Sequence, residues 1–204
     1  MNNFWFYWVM WGFWIVSAFF MKKGSQRTWS CLAILSIILF SSFSLTAGDG
    51  VQINLAFFVL SLSGCALLSG RSLYKVLYVA LTGFVLMLVD ILAQIYWLYD
   101  PAILMLLPKW TFIVASGVLV LSLTREFWMR IAAVLIGLSQ GDVLQSFVFY
   151  PYDQTIGDTD YLVTVSLVLL IIVGWEGLSQ AAALLKVLTD RPSVERVKNR
   201  GGLS

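Results

Sequence analysis

The chain has 204 residues, 60% of them hydrophobic and only 12% charged, and a mean hydropathy of +0.87. A soluble domain typically carries about 25% charged residues, so this composition excludes a soluble fold and makes lipid the solvent for most of the surface. The net charge of +2 leaves no dense basic face for nucleic acid, and the lack of histidine removes His-ligated haem, His-based zinc and serine–histidine hydrolase chemistry.

A spanning helix takes roughly 20 apolar residues, and the chain divides into about seven such stretches. The first covers 4–21 and ends at Lys22-Lys23. Its charges follow the apolar run, unlike those of a cleavable signal peptide. The second, 28–47, stops at Gly48-Asp49-Gly50, a tight-turn composition. The third covers 51–70. The fourth, 72–99, is long enough to tilt and is ended by Asp100-Pro101. The fifth, 102–123, contains Pro108-Lys109, where proline either kinks the helix or marks its true start. The sixth covers 127–149, and a polar loop from Tyr150 to Asp160 separates it from the seventh, 161–185. The predicted fold is therefore an all-α polytopic membrane bundle over 1–189, with a short basic tail over 190–204.

Positive charge in short loops marks the cytoplasmic side. An outside amino terminus puts Lys22, Lys23 and Arg27, then Arg71 and Lys75, then Arg125 and Arg130, then Lys186, Arg191, Arg196, Lys198 and Arg200 inside. Of the 13 basic residues only Lys109 is left outside. Four successive regions agree on a cytoplasmic carboxyl terminus. The tail is expected at the membrane surface, where anionic lipid attracts basic residues at about 1 kcal/mol each.

Three acids lie inside apolar spans: Asp90, Asp142 and Glu176. A charged Asp at mid-membrane costs about 2.5–3.5 kcal/mol, so such residues face the bundle interior or a watery cavity. Each has amide company. Gln94 follows Asp90 by one helical turn and Gln180 follows Glu176 likewise, while Gln140 and Gln145 flank Asp142. The sharper reading is a polar cluster of Asp90, Gln94, Gln140, Asp142, Glu176 and Gln180 that binds a cation or polar head group or relays protons. The blander one is interhelical hydrogen bonding for assembly, at about 0.6 kcal/mol per bond. Lys109 is the one basic residue near enough in the topology to pair with Asp90.

The tetrapeptide Gly-Leu-Ser-Gln occurs at Gly137–Gln140 and again at Gly177–Gln180, each beside one of these acids. Small residues let membrane helices approach closely. In the first span Trp5, Trp8, Trp11 and Trp14 recur every three residues, as suits an interface-loving ridge or a partner-binding one. Cys31 and Cys65 read as small buried hydrophobes. The sequence shows no nucleophile with a base beside it, no phosphate loop, no metal-ligand cluster and no cofactor motif, so an enzyme is not expected.

The short lead into Phe4-Trp5-Phe6-Tyr7-Trp8-Val9-Met10-Trp11, the Lys22-Lys23 stop and the Tyr150-Pro151-Tyr152-Asp153 loop resemble the YphA family of small multipass membrane proteins of Bacillus-type spore formers. The resemblance covers essentially the whole chain and brings no catalytic residues. It implies a role in sporulation, in the forespore membrane and in spore envelope assembly. The expected function is a structural or assembly factor of the cell membrane, with lipid and other membrane proteins as partners. The alternative is a small proton- or cation-coupled carrier using the intramembrane acids, its ligand unknown.

Overall fold

The computed structural model describes residues 4–21, 23–47, 51–99, 108–148 and 155–189. The expected Gly48-Asp49-Gly50 turn, the Asp100-Pro101 stop, the start of the fifth stretch, the Tyr150–Gln154 part of the polar loop and the tail lie outside them. The described chain is mostly helical. Its elements are α1 (Phe4–Phe20), α2 (Ser25–Phe40), β1 (Ser44–Ala47), β2 (Val51–Asn54), α3 (Leu55–Leu68), α4 (Leu73–Tyr99), α5 (Lys109–Leu123), α6 (Phe127–Val148), β3 (Thr155–Ile156) and α7 (Thr159–Thr189).

Three helices are long and apolar enough to cross a membrane: α4, α6 and α7, over Leu73–Trp97, Phe127–Val148 and Thr159–Val187. The other four are apolar but shorter. At 1.5 Å per residue, α3 with 14 residues reaches only about 21 Å, against a hydrocarbon core of about 30 Å.

The purely helical expectation needs one correction. The second and third stretches fall short of their predicted bounds because Ser44–Ala47 and Val51–Asn54 pair as antiparallel strands, with Ser44 opposite Asn54 and Ala47 opposite Val51. Thr155–Ile156 adds a parallel third strand beside Gln52–Ile53. The local chemistry explains the switch. Leu45, Thr46, Val51, Gln52 and Ile53 alternate polar with apolar or β-branched residues on either side of the sequence Gly48-Asp49-Gly50, and that pattern suits a pleated ribbon better than a helix. Asn54 then starts α3. Its side chain accepts the Ala56 N–H at 2.9 Å and donates to the Ser41 carbonyl at 3.0 Å, tying the strand pair to the end of α2. Pro108 is the residue before α5, so it marks the helix start and puts no kink inside it.

The chain forms two compact units, Met1–Ile172 and Val173–Ser204. Within the first unit, α6 packs on both α3 and α4. Small side chains on α6 make this possible. A Cβ added at Gly137 would lie 2.7 Å from the Gly83 carbonyl oxygen, so α4 and α6 meet backbone to backbone there. Gly64 of α3 is seated on Leu135 and Ile136, and Gly117 of α5 on Ile171. The apolar core joins Met10, Leu60, Leu86, Val120, Val134, Leu138, Val163 and Val168. On α1 the buried residues are Phe6, Val9 and Met10, while Trp5, Trp8 and Trp11 are exposed and Trp14 is half-buried, so three of the four tryptophans of the ridge face outward. Cys65 is exposed as well, contrary to the buried reading.

One end of this unit is held by charge. Lys75 Nζ lies 2.5 Å from Glu126 and Arg71 lies 3.8 Å from it, and the hydrogen bond from Lys75 holds the Glu126 carboxyl below its usual value. Tyr78 donates to the Leu123 carbonyl at the same end. In the second unit, Val173–Thr189 of α7 exposes Trp175, Leu178, Leu184, Leu185 and Val187.

Candidate functional site

At the end of α4 opposite the Lys75–Glu126 pair, four helices surround a cavity of about 270 Å³. Helical spacing brings Asp90, Gln94 and Trp97 onto one face of α4, and Gln94 hydrogen-bonds the Asp90 carboxyl group. Lys109, Phe112, Ile113 and Ser116 come from α5, and Leu138, Asp142 and Gln145 from α6. Asp158, Asp160, Tyr161 and Thr164 complete the wall from the start of α7. Four carboxyl groups and one ammonium thus converge on a space of roughly nine water volumes, at about 30 Å³ each.

Three of the acids have visible structural work. Asp142 Oδ2 accepts the Gly157 N–H at 2.6 Å and so fastens the turn between β3 and α7 to α6. That turn needs glycine. Gly157 has φ +75°, and an added Cβ would lie 2.8 Å from Phe57 Cβ. Asp158 Oδ1 accepts the Tyr161 N–H at 2.8 Å, as an N-cap does. Asp160 sits in the first turn of α7, where the helix dipole favours an acid, and pairs with Lys109. Asp90 is different: it lies in the interior of the long helix α4, away from any helix start or turn. Room for it comes from Gly141, where an added Cβ would stand 2.9 Å from Asp90 Oδ2.

Trp97 is held on two sides. Its ring meets Phe112 edge-on at 5.0 Å between centroids, and Lys109 Nζ lies 5.5 Å from its centroid. The indole Nε1 is buried and has no hydrogen-bond partner among the described residues. Leaving such a donor unsatisfied costs about 1–3 kcal/mol. Tyr161 is fixed from the other side by a buried 2.7 Å hydrogen bond with Ser139, the serine of the first Gly-Leu-Ser-Gln copy.

Of the residues singled out in the sequence, Asp90, Gln94 and Asp142 line this cavity, with Gln145 beside them. Gln140 is exposed on α6 and is not part of the lining. Glu176 and Gln180 belong to the second unit, where Gln180 Nε2 lies 3.4 Å from Glu176 Oε1, and neither contributes to the lining. Lys109 pairs with Asp160 as well as lining the space with Asp90. Sequence reasoning passed over Trp97, Asp158 and Asp160 as site residues. Spacing carried a signal for Trp97, which follows Asp90 by seven positions and Gln94 by three. Among the described residues no group of three or more acid or thiol side chains has the arrangement of a metal site.

Apolar helices of spanning length, packed through glycine contacts around a charged recess, define an integral membrane protein. The family profile described as YphA-like integral membrane protein matches residues 2–198, and the chain belongs to that family. It is also similar to the protein of Bacillus subtilis (strain 168) named "Uncharacterized protein YphA", at 27% identity over 150 residues, covering 72% of this chain and 73% of the relative. No solved structure matches the chain.

Proposed function

We propose that this is a non-enzymatic protein of the cell membrane that binds a small cationic group in the cavity between α4, α5, α6 and α7. The observation that carries the reading is the lining itself: four carboxyl groups face one ammonium within about 270 Å³. In a recess enclosed by packed helices, fields are focused and a cation is attracted more strongly than at an open surface. The chain crosses the bilayer about seven times, with the amino terminus outside and the carboxyl terminus in the cytoplasm. This reading is supported by the basic groups at alternate turns and by the strands, which extend the short helices α2 and α3. The cavity then opens on the outer side, and Arg71, Lys75 and Arg130 lie on the inner one. Below the cavity, the contact at Gly83 and Gly137 leaves no passage between α4 and α6, which favours binding over conduction.

The test is titration of the purified protein, reconstituted in lipid nanodiscs, with methyl-, ethyl- and propylammonium by calorimetry. Wild type should bind at least one of them, and Asp90→Asn should weaken it at least about tenfold, because the amide keeps the shape and the hydrogen bond to Gln94 but loses the charge. Equal binding by both proteins would sink the reading.

A second reading is an assembly factor of the cell membrane acting in sporulation, and the tryptophans exposed on α1, Trp5, Trp8 and Trp11, support it by offering a face to other membrane proteins. An assembly factor should tolerate neutral amides. Heat-resistant spore yield in a deletion strain carrying Asp90→Asn with Asp142→Asn, at matched membrane abundance, therefore separates the two.

A further inference from the structure

Two turns meet at the end of the first unit away from the cavity. Residues 69–72 join α3 to α4, and residues 124–126 join α5 to α6. Over 69–75 and 124–130 the chain carries four bases, Arg71, Lys75, Arg125 and Arg130, and one acid, Glu126. That acid does not use up the positive charge. Lys75 holds one of its carboxylate oxygens at 2.5 Å, but Arg71 stands 3.8 Å from the other, beyond hydrogen-bond length. Arg125 is exposed, and no acid pairs with it among the described residues.

The backbone adds to the same sign. α4 and α6 both start here, and a helix start is the positive end of its dipole. The negative end of α5 is covered, because Tyr78 donates to the Leu123 carbonyl and Arg130 Nε donates to the Thr124 carbonyl at 2.8 Å. With 27 residues, α4 is about 40 Å long and outreaches a hydrocarbon core of about 30 Å, so its first turn falls in the headgroup layer. In that turn Leu73 and Tyr74 are exposed beside the charges, an apolar and an interfacial side chain next to a basic patch.

We infer that this patch binds the headgroup of an anionic phospholipid, its phosphate on Arg71 and Arg125 and its chains along the apolar start of α4. Glu126 acts as a built-in counterion that competes with the phosphate for Arg71 and Lys75. An acidic protein segment would match the charge, but the depth of the patch and its exposed Leu73 and Tyr74 favour a lipid. The site is separate from the cavity and stands whatever the cavity binds.

Native mass spectrometry of the full chain in detergent tests it, with phosphatidylglycerol and phosphatidylcholine of the same acyl chains as probes. Phosphatidylglycerol should bind at least about fivefold more tightly, since one basic residue at a membrane surface contributes about that factor. Arg71→Gln with Arg125→Gln should bring the ratio close to one. Lys23→Gln with Lys186→Gln removes as much charge elsewhere and should leave it unchanged. Glu126→Gln should raise affinity for phosphatidylglycerol, and it keeps the backbone carbonyl that accepts the Met129 N–H at 3.1 Å, so it reports even if the arginine variant folds poorly. Equal affinity for the two lipids overturns the inference, as does an equal loss in both double variants, which would mean diffuse attraction. Unchanged or weaker binding in Glu126→Gln overturns it too. If the lipids bind equally and a hexaglutamate peptide binds instead, the patch belongs to an acidic protein segment and the lipid site is refuted.

Discussion

Gly137 and Gly177 open the two copies of one tetrapeptide, and their surroundings give them opposite roles. An added Cβ at Gly137 would press on Gly83, at 2.7 Å from its carbonyl oxygen and 2.9 Å from its Cα, and backbone cannot step aside as a flexible side chain can. At Gly177 the same Cβ meets nothing within 4 Å among the described residues. Gly137→Ala should therefore destabilise the protein by about 1–3 kcal/mol, as overpacking does. Gly177→Ala should be neutral, or stabilising by up to about 1 kcal/mol through helix propensity alone. Thermal unfolding in detergent, followed by helical circular dichroism, compares the two, and a loss from Gly177→Ala as large as that from Gly137→Ala would refute the assignment. The sequence alone could not tell these copies apart, because the tetrapeptide does not encode which helix faces it. The same limit applied to the acids. Asp90 with Gln94 was legible as one stripe, and Asp142 as a neighbour of amides, but only tertiary packing brings α4, α6 and the start of α7 round one cavity. Gln140 shows the converse, since two positions along α6 from Asp142 turn a side chain through about 200° and leave it exposed.

Among elements, the long helices were easy to read and the short ones were not. The sixth stretch was predicted over 127–149 and the helix covers Phe127–Val148, because its apolar run is bounded by charge at one end and by aromatic and proline residues at the other. The strand pair escaped because Leu45, Val51 and Ile53 extend the apolar runs on either side of Gly48-Asp49-Gly50, and hydropathy alone does not separate strand from helix over four residues. The polar–apolar alternation flanking Asp49-Gly50 was the available signal. Once formed, the strand pair depends on Asn54, which caps α3 and also reaches back to Ser41. Asn54→Ala should cost about 1–2 kcal/mol, since it removes a cap and a second hydrogen bond. Asn54→Asp should cost less, because a carboxylate still accepts the Ala56 N–H while the donor to the Ser41 carbonyl is gone. Thermal midpoints of the two variants check the order, and equal losses would mean that the cap contributes little.

For the whole molecule, the opposite ends of α4 carry opposite chemistry. Near its start Arg71 and Lys75 hold Glu126, with Arg130 bonded to the Thr124 carbonyl nearby. Near its end lie the acidic cavity and, on neighbouring elements, the three-stranded sheet that orders the turn before α7. A membrane separates such ends naturally, since basic loops stay in the cytoplasm while acids have little say in orientation. The side to which the cavity opens therefore follows from the positive charges and not from the acids that line it. Cysteine labelling decides the matter. In a background with Cys31→Ala and Cys65→Ala, Leu45→Cys on β1 and Leu73→Cys at the start of α4 both place a thiol at an exposed position. A membrane-impermeant maleimide added to intact cells should label Leu45→Cys, and should reach Leu73→Cys only after permeabilisation. The opposite pattern would turn the cavity towards the cytoplasm. It would place Arg71, Lys75, Arg125 and Arg130 outside, against the charge rule at two successive turns, and any ligand of the cavity would then come from the cytosolic pool.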